Sequence, residues 1–97
     1  MIAIEFHPEA EVEMLAAAQF YEQRAKNLGV TFLSEVEKSV HKISASPFLY
    51  PVLKRKVRRC LVQRFPYGIL YVVTEDKIFV VAVMHVHRKP WYWMKRI

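Results

Sequence analysis

The sequence predicts an α+β fold of two layers: an N-terminal strand and an antiparallel helical hairpin packed on an antiparallel sheet, in the order β-α-α-β-β-β. Three observations predict it. A short period-2 alternation stops at Pro8, two stretches of helical period follow across a tight junction, and the second half holds three segments rich in β-branched and aromatic residues. A chain of 97 residues, 54% hydrophobic and 25% charged, is too short for two cores and too apolar for disorder. Residues 1–97 are therefore expected to form a single domain.

Ile2, Ile4 and Phe6 alternate with Ala3 and Glu5, which reads as an opening strand ended by His7-Pro8. Pro8 presets φ for a first helical turn, and Glu9, Glu11 and Glu13 suit the positive end of a helix dipole. The stripe of this first helix is Ala10, Met14, Ala17, Ala18, Tyr21, Ala25 and Leu28, with Leu15 and Phe20 widening it. Gly29 is expected just past its end. The same period returns as Phe32, Leu33, Val36, Val40 and Ile43 until Ser44-Ala45-Ser46-Pro47 stops it. So short a junction, Asn27-Leu28-Gly29, folds the two helices back along each other.

A loop over Phe48-Leu49-Tyr50-Pro51 leads to strand-like segments at residues 57–64, 67–74 and 77–86, with Glu75-Asp76 as a two-residue hairpin gap. The last segment is apolar on both faces, Phe79, Val81 and Val83 on one and Ile78, Val80, Ala82 and Met84 on the other. Such a strand must be covered twice. The hairpin covers one face; the tail Pro90-Trp91-Tyr92-Trp93-Met94, a partner chain or curvature of the sheet covers the second.

The net charge of +6 is unevenly placed. Residues 1–53 carry four basic against seven acidic side chains, −3, and residues 54–97 carry eleven against two, +9. This asymmetry points to an anionic partner. No charge-free run approaches the roughly 20 residues of a membrane-spanning helix, and residues 1–6 do not read as a signal peptide, so a cytoplasmic protein without a membrane partner is expected. The one cysteine, Cys60, forms no internal disulfide and reads as packed on a strand.

His85 and His87 lie two apart at a strand end, with rings expected on one face, but no thiol or acidic cluster completes a metal site. Two glycines cannot build a phosphate-cradling loop, so neither metal nor cofactor is expected. The conspicuous constellation is basic: Lys54, Arg55, Lys56, Arg58, Arg59 and Arg64, joined by Arg88, Lys89, Lys95 and Arg96, with aromatics interleaved in the tail. Metal-free RNA cleavage needs a base, an acid and cations for the phosphorane charge. His85, His87, Arg59, Arg64 and Tyr92 supply those types; a solvated basic rim explains the same residues without catalysis.

The order of elements, with Phe20-Tyr21-Glu22, Leu28-Gly29, Phe32-Leu33, Val57-Arg58-Arg59, Arg64-Phe65-Pro66-Tyr67, Asp76-Lys77-Ile78, Val81-Ala82-Val83, His85, Arg88, Pro90, Trp93 and Arg96, resembles the RelE/ParE superfamily of bacterial type II toxin–antitoxin toxins. The resemblance covers nearly the whole chain. It implies that the first strand joins the sheet beside the last, that a cognate antitoxin binds the chain in a hetero-oligomer, and that the free toxin arrests growth. Its target would be DNA gyrase, or the ribosome and its mRNA. The endonuclease members use a basic site with a C-terminal tyrosine, or a Glu, Arg, His and Tyr set. Here no glutamate occurs between Val57 and Thr74, and Trp93 follows Tyr92. The Phe-Pro-Tyr strand entry and His-x-x-Arg-x-Pro tail look more like the ParE-type branch, whose members poison gyrase by binding. On that reading Arg58, Arg59, Arg64, Arg88, Trp93 and Arg96 are the target contacts.

Overall fold

A computed structural model describes residues 2–97. Strand β1 (Ala3–Phe6) leads into helices α1 (Pro8–Arg24) and α2 (Leu28–Ala45). Strands β2 (Val52–Lys54), β3 (Val57–Leu61), β4 (Tyr67–Val73) and β5 (Lys77–His85) follow, and a 3-10 turn (Tyr92–Arg96) closes the chain. The sheet order is β1-β5-β4-β3-β2. The α+β class and the hairpin are as the periodicities predict. The sheet is antiparallel from β2 to β5, and mixed because β1 pairs with β5 in parallel, Ala3 opposite Lys77 through Phe6 opposite Val80. The three-residue β2 lies where no strand was expected, too short to show a period.

Pro8 opens α1 as expected, and the His7 ring caps it by accepting the Glu9 N–H at Nδ1 (3.0 Å). Gly29 does not end α1. It lies inside α2, and a Cβ built there would come within 2.4 Å of the Ala18 carbonyl oxygen, so glycine is needed for close helix approach. Asn27 takes the left-handed conformation instead, with φ 69°. Glu22 then fastens the junction, its carboxylate accepting the N–H groups of Asn27 (2.9 Å) and Gly29 (3.0 Å) that would otherwise stay unpaired at the start of α2.

The helix-side core joins Ala10, Ala17 and Ala18 of α1 and Phe32, Val36 and Ile43 of α2 to Ile69 and Tyr71 of β4 and Ile78, Val80 and Val83 of β5. Leu15 and Phe20, expected to widen the buried stripe of α1, are exposed. The opposite face of the sheet carries a second core of Val57, Leu70, Val81, Ala82 and Trp93. Of the three coverings open to that face, the tail provides one: Trp93, 1% exposed, plugs it. The strict alternation expected along β5 fails. Leu70 opposes Ala82 and Tyr71 opposes Val80, so Val81 is an inserted residue, and Val81 and Ala82 both turn to the tail while Val83 joins the helix side.

Candidate functional site

The C-terminal end of β5 is where charge concentrates. β1 accompanies β5 only as far as Val80, leaving the Val81 carbonyl and Val83 N–H without a strand partner. Side chains replace that strand. Arg96 donates to the Val81 oxygen (3.0 Å), and Glu13 of α1 accepts the Val83 N–H (3.1 Å). The two also meet directly, Nη1 to Oε1 and Nη2 to Oε2, both 3.0 Å. Arg88 reaches the same carboxylate at 3.3 Å and stacks 3.7 Å above the Tyr92 ring.

Tyr92 is held beneath these arginines with its hydroxyl enclosed and without a hydrogen-bond partner of proper geometry. Burial, reinforced by the Glu13 carboxylate, pushes its pKa well above the ordinary phenol value. Such a group stays protonated near neutrality.

Two clefts flank this end of the strand. One, about 390 Å³, lies on the tail side between Arg59, His87, Trp91 and Trp93. The other, about 340 Å³, lies between α1 and the sheet, lined by Val12, Ala16, Phe20, Tyr67 and His85. Arg88 borders both. His85 and His87, expected on one face from their two-residue spacing, keep neighbouring rings but line different clefts. His87 lies past the end of β5, where its N–H donates to His85 Nδ1 (3.1 Å), and the ring centroids are 5.5 Å apart. Arg59 lies on the tail side along Gly68, where a Cβ would press to 3.1 Å on its Cγ and Cδ.

The remaining candidates are dispersed. Arg58 donates to the carbonyls of Phe48 (3.2 Å) and Tyr50 (2.7 Å), holding a loop. Arg64, with φ 71°, lies 3.7 Å from the nearly buried Glu35 of α2. The Arg96 side chain is 9% exposed and Trp93 is sealed, so neither is the free surface contact expected of it. Cys60 is buried, and burial raises its thiol pKa, which suits packing rather than nucleophilic attack. Among the described residues no three His, Cys, Asp or Glu side chains converge as a metal site would need, and no helix is long and apolar enough to cross a membrane.

Glu13 was missed as an organising residue because its place near the N-terminus of α1 already explains a carboxylate. The signal was present: it stands three residues after Ala10 and four before Ala17, an acid on the buried stripe.

A helical hairpin on a sheet whose first strand lies beside its last, with a basic C-terminal end, is the architecture of the RelE/ParE toxin superfamily. Residues 4–90 match the family model described as "ParE toxin of type II toxin-antitoxin system, parDE". The chain belongs to this ParE toxin family, the branch toward which its strand entry and tail pointed. A solved structure described as "Chromosomal ParDE TA system from P. aeruginosa" shares the fold at a TM-score of 0.64 and 15% identity, over 88% of this chain and 96% of that one. No curated protein sequence matches.

Proposed function

We propose that the free chain arrests growth by binding and poisoning DNA gyrase, without bond-making chemistry of its own, and that a cognate antitoxin neutralises it. One observation carries this reading: the groups a nuclease would use do not all open onto one cleft, although Arg59 and His87 share the tail-side one. His85 lines the helix-side cleft, Arg59 the tail-side cleft, Arg64 sits by α2, and the Tyr92 hydroxyl is enclosed. General acid–base catalysis requires its groups within hydrogen-bond reach of one reacting centre.

The apolar part of an antitoxin segment suits the exposed side chains of α1, and its acidic part the basic C-terminal half. Val12, Leu15 and Phe20 of α1 are 65%, 52% and 46% exposed, while the tail already occupies the far face of the sheet. The deciding experiment incubates purified chain with gyrase and plasmid DNA, and separately with translating ribosomes. Accumulation of gyrase–DNA cleavage complexes with intact mRNA is expected. Cleavage of ribosome-bound mRNA, abolished by His85→Ala and accompanied by normal gyrase activity, would reverse the assignment. That second reading, a ribosome-dependent endoribonuclease, draws on the tail-side cleft, where Arg59, His87 and Arg88 stand beside two tryptophans.

A further inference from the structure

The loop after α2 carries an apolar surface that nothing in the chain covers. Phe48 and Leu49 are 66% and 72% exposed, and Val52 is 49% exposed. Exposed apolar side chains in a loop are ordinarily scattered and mobile. These are adjacent, and their backbone is pinned from beneath at three successive points. The Tyr71 hydroxyl of the central strand β4 donates to the Pro47 carbonyl at 2.7 Å, and Arg58 of β3 donates to the carbonyls on either side of Leu49, those of Phe48 and Tyr50. The Leu49 N–H returns to the Ser46 carbonyl at 3.1 Å, and the Arg58 guanidinium also lies 5.2 Å from the Phe48 ring centroid. A fully buried tyrosine and a partly buried arginine thus hold in place a loop whose own side chains face water.

Beside the loop the β2–β3 turn presents Lys54, Arg55 and Lys56, all exposed and none in an ion pair among the described residues. Arg55 and Lys56 stand between two hollows. One, about 210 Å³, has Phe48, Val52 and Val73 as apolar walls. The other, about 610 Å³, is lined by Val72, Val73 and the C-terminal Ile97, with Glu75 the one acidic side chain on its rim.

We propose that this loop and turn form a preorganised docking surface for the toxin's cellular target protein, engaging a segment in which an apolar side chain is flanked by carboxylates. Rigid apolar anchors bind at low entropic cost, and unpaired cations beside them select an acidic partner. The hollows beside it include none of the exposed α1 residues Val12, Leu15 and Phe20 that the antitoxin reading uses, so binding of target and antitoxin should be separable by mutation. The inference rests on the toxin reading and names the surface through which it acts.

The test compares growth arrest, antitoxin binding and thermal stability for the wild-type chain, the double variant Phe48→Ser with Leu49→Ser, and the double variant Arg55→Glu with Lys56→Glu. All four side chains are exposed, so folding should survive. Both variants are expected to need at least about tenfold more protein for arrest, as loss of anchors worth 1–3 kcal/mol each implies, with antitoxin affinity and Tm near wild type. Arrest at wild-type dose in both variants would overturn the proposal. So would a parallel fall in antitoxin affinity, which would give the surface to the antitoxin, or a loss of duplex-DNA binding in step with arrest, which would give it to nucleic acid. A wild-type chain that does not arrest growth would defeat the toxin reading itself, and the proposal with it.

Discussion

Glu13 and Arg96, 83 residues apart in the chain, meet through two parallel bonds of 3.0 Å and together complete the edge of β5 that β1 leaves unfinished. The pair ties the first helix, the bulged strand and the C-terminal turn into one unit. A bidentate, mostly desolvated pair contributes through geometry more than through net Coulomb energy, because both ions were taken from water. Its value appears when one partner is removed.

Glu13→Ala leaves the mostly enclosed Arg96 with only the exposed Glu9 at 3.9 Å, and should lower the unfolding free energy by about 2–3 kcal/mol. The Tm should fall by roughly 4–8 °C per kcal/mol for a chain of this size. A cycle with Arg96→Ala and the double variant, measured by denaturant unfolding, should return a coupling of about 1–3 kcal/mol. Additive single effects would show that the two groups act independently.

Gly29→Ala sets helix propensity against space. Alanine gains at most about 1 kcal/mol over glycine in a helix, and less in the first turn where Gly29 stands, yet its Cβ would press on the Ala18 carbonyl oxygen. Separation of the helices costs more than the propensity returns, so a net loss of about 1–3 kcal/mol is expected. A more stable variant in urea unfolding would contradict the close approach.

Trp93→Ala empties the centre of the tail-side core and should destabilise by about 3–5 kcal/mol. Ending the chain after Lys89 removes the same plug and uncovers Val57, Leu70, Val81 and Ala82. That shortened chain should bind a hydrophobic dye and melt far below the full-length protein. Unchanged melting would mean that the tail only rests on the sheet.

All five tyrosines have phenol pKa values above the ordinary 10, burial being the leading cause for each, and Tyr71 is pushed up to about 12. The folded state therefore keeps phenolic protons that the unfolded chain releases, and unfolding free energy declines with rising pH. For Tyr71 the contribution is complete below pH 10 and lost as pH rises through about 12. Tyrosinate absorbance should lag behind that of free tyrosine and rise with loss of tertiary structure. Ionisation of all five phenols near pH 10 in a chain with native near-ultraviolet circular dichroism would refute this.

Local rules account for much of the molecule. Alternation before Pro8, the two helical stripes and the β-branched runs determined the strands and hairpin, because each depends on neighbours within a few residues. The two-sided apolarity of β5 determined that a second cover was needed. The tertiary structure decided what that cover is, since only packing places Trp93 against Leu70 and Val81. It decided the faces of β5 beyond Val80, because one inserted residue at Val81 reverses the alternation with no mark in composition. It also decided the site. Arg58, Arg59, Arg64, Arg88 and Arg96 look alike as letters, and their roles diverge because burial and partners come from distant segments: carbonyls of a loop for Arg58, the flank of Gly68 for Arg59, Glu35 for Arg64, and Glu13 for Arg88 and Arg96. Charge counts are set by the sequence, whereas the free energy of each charge is set by what the fold brings beside it.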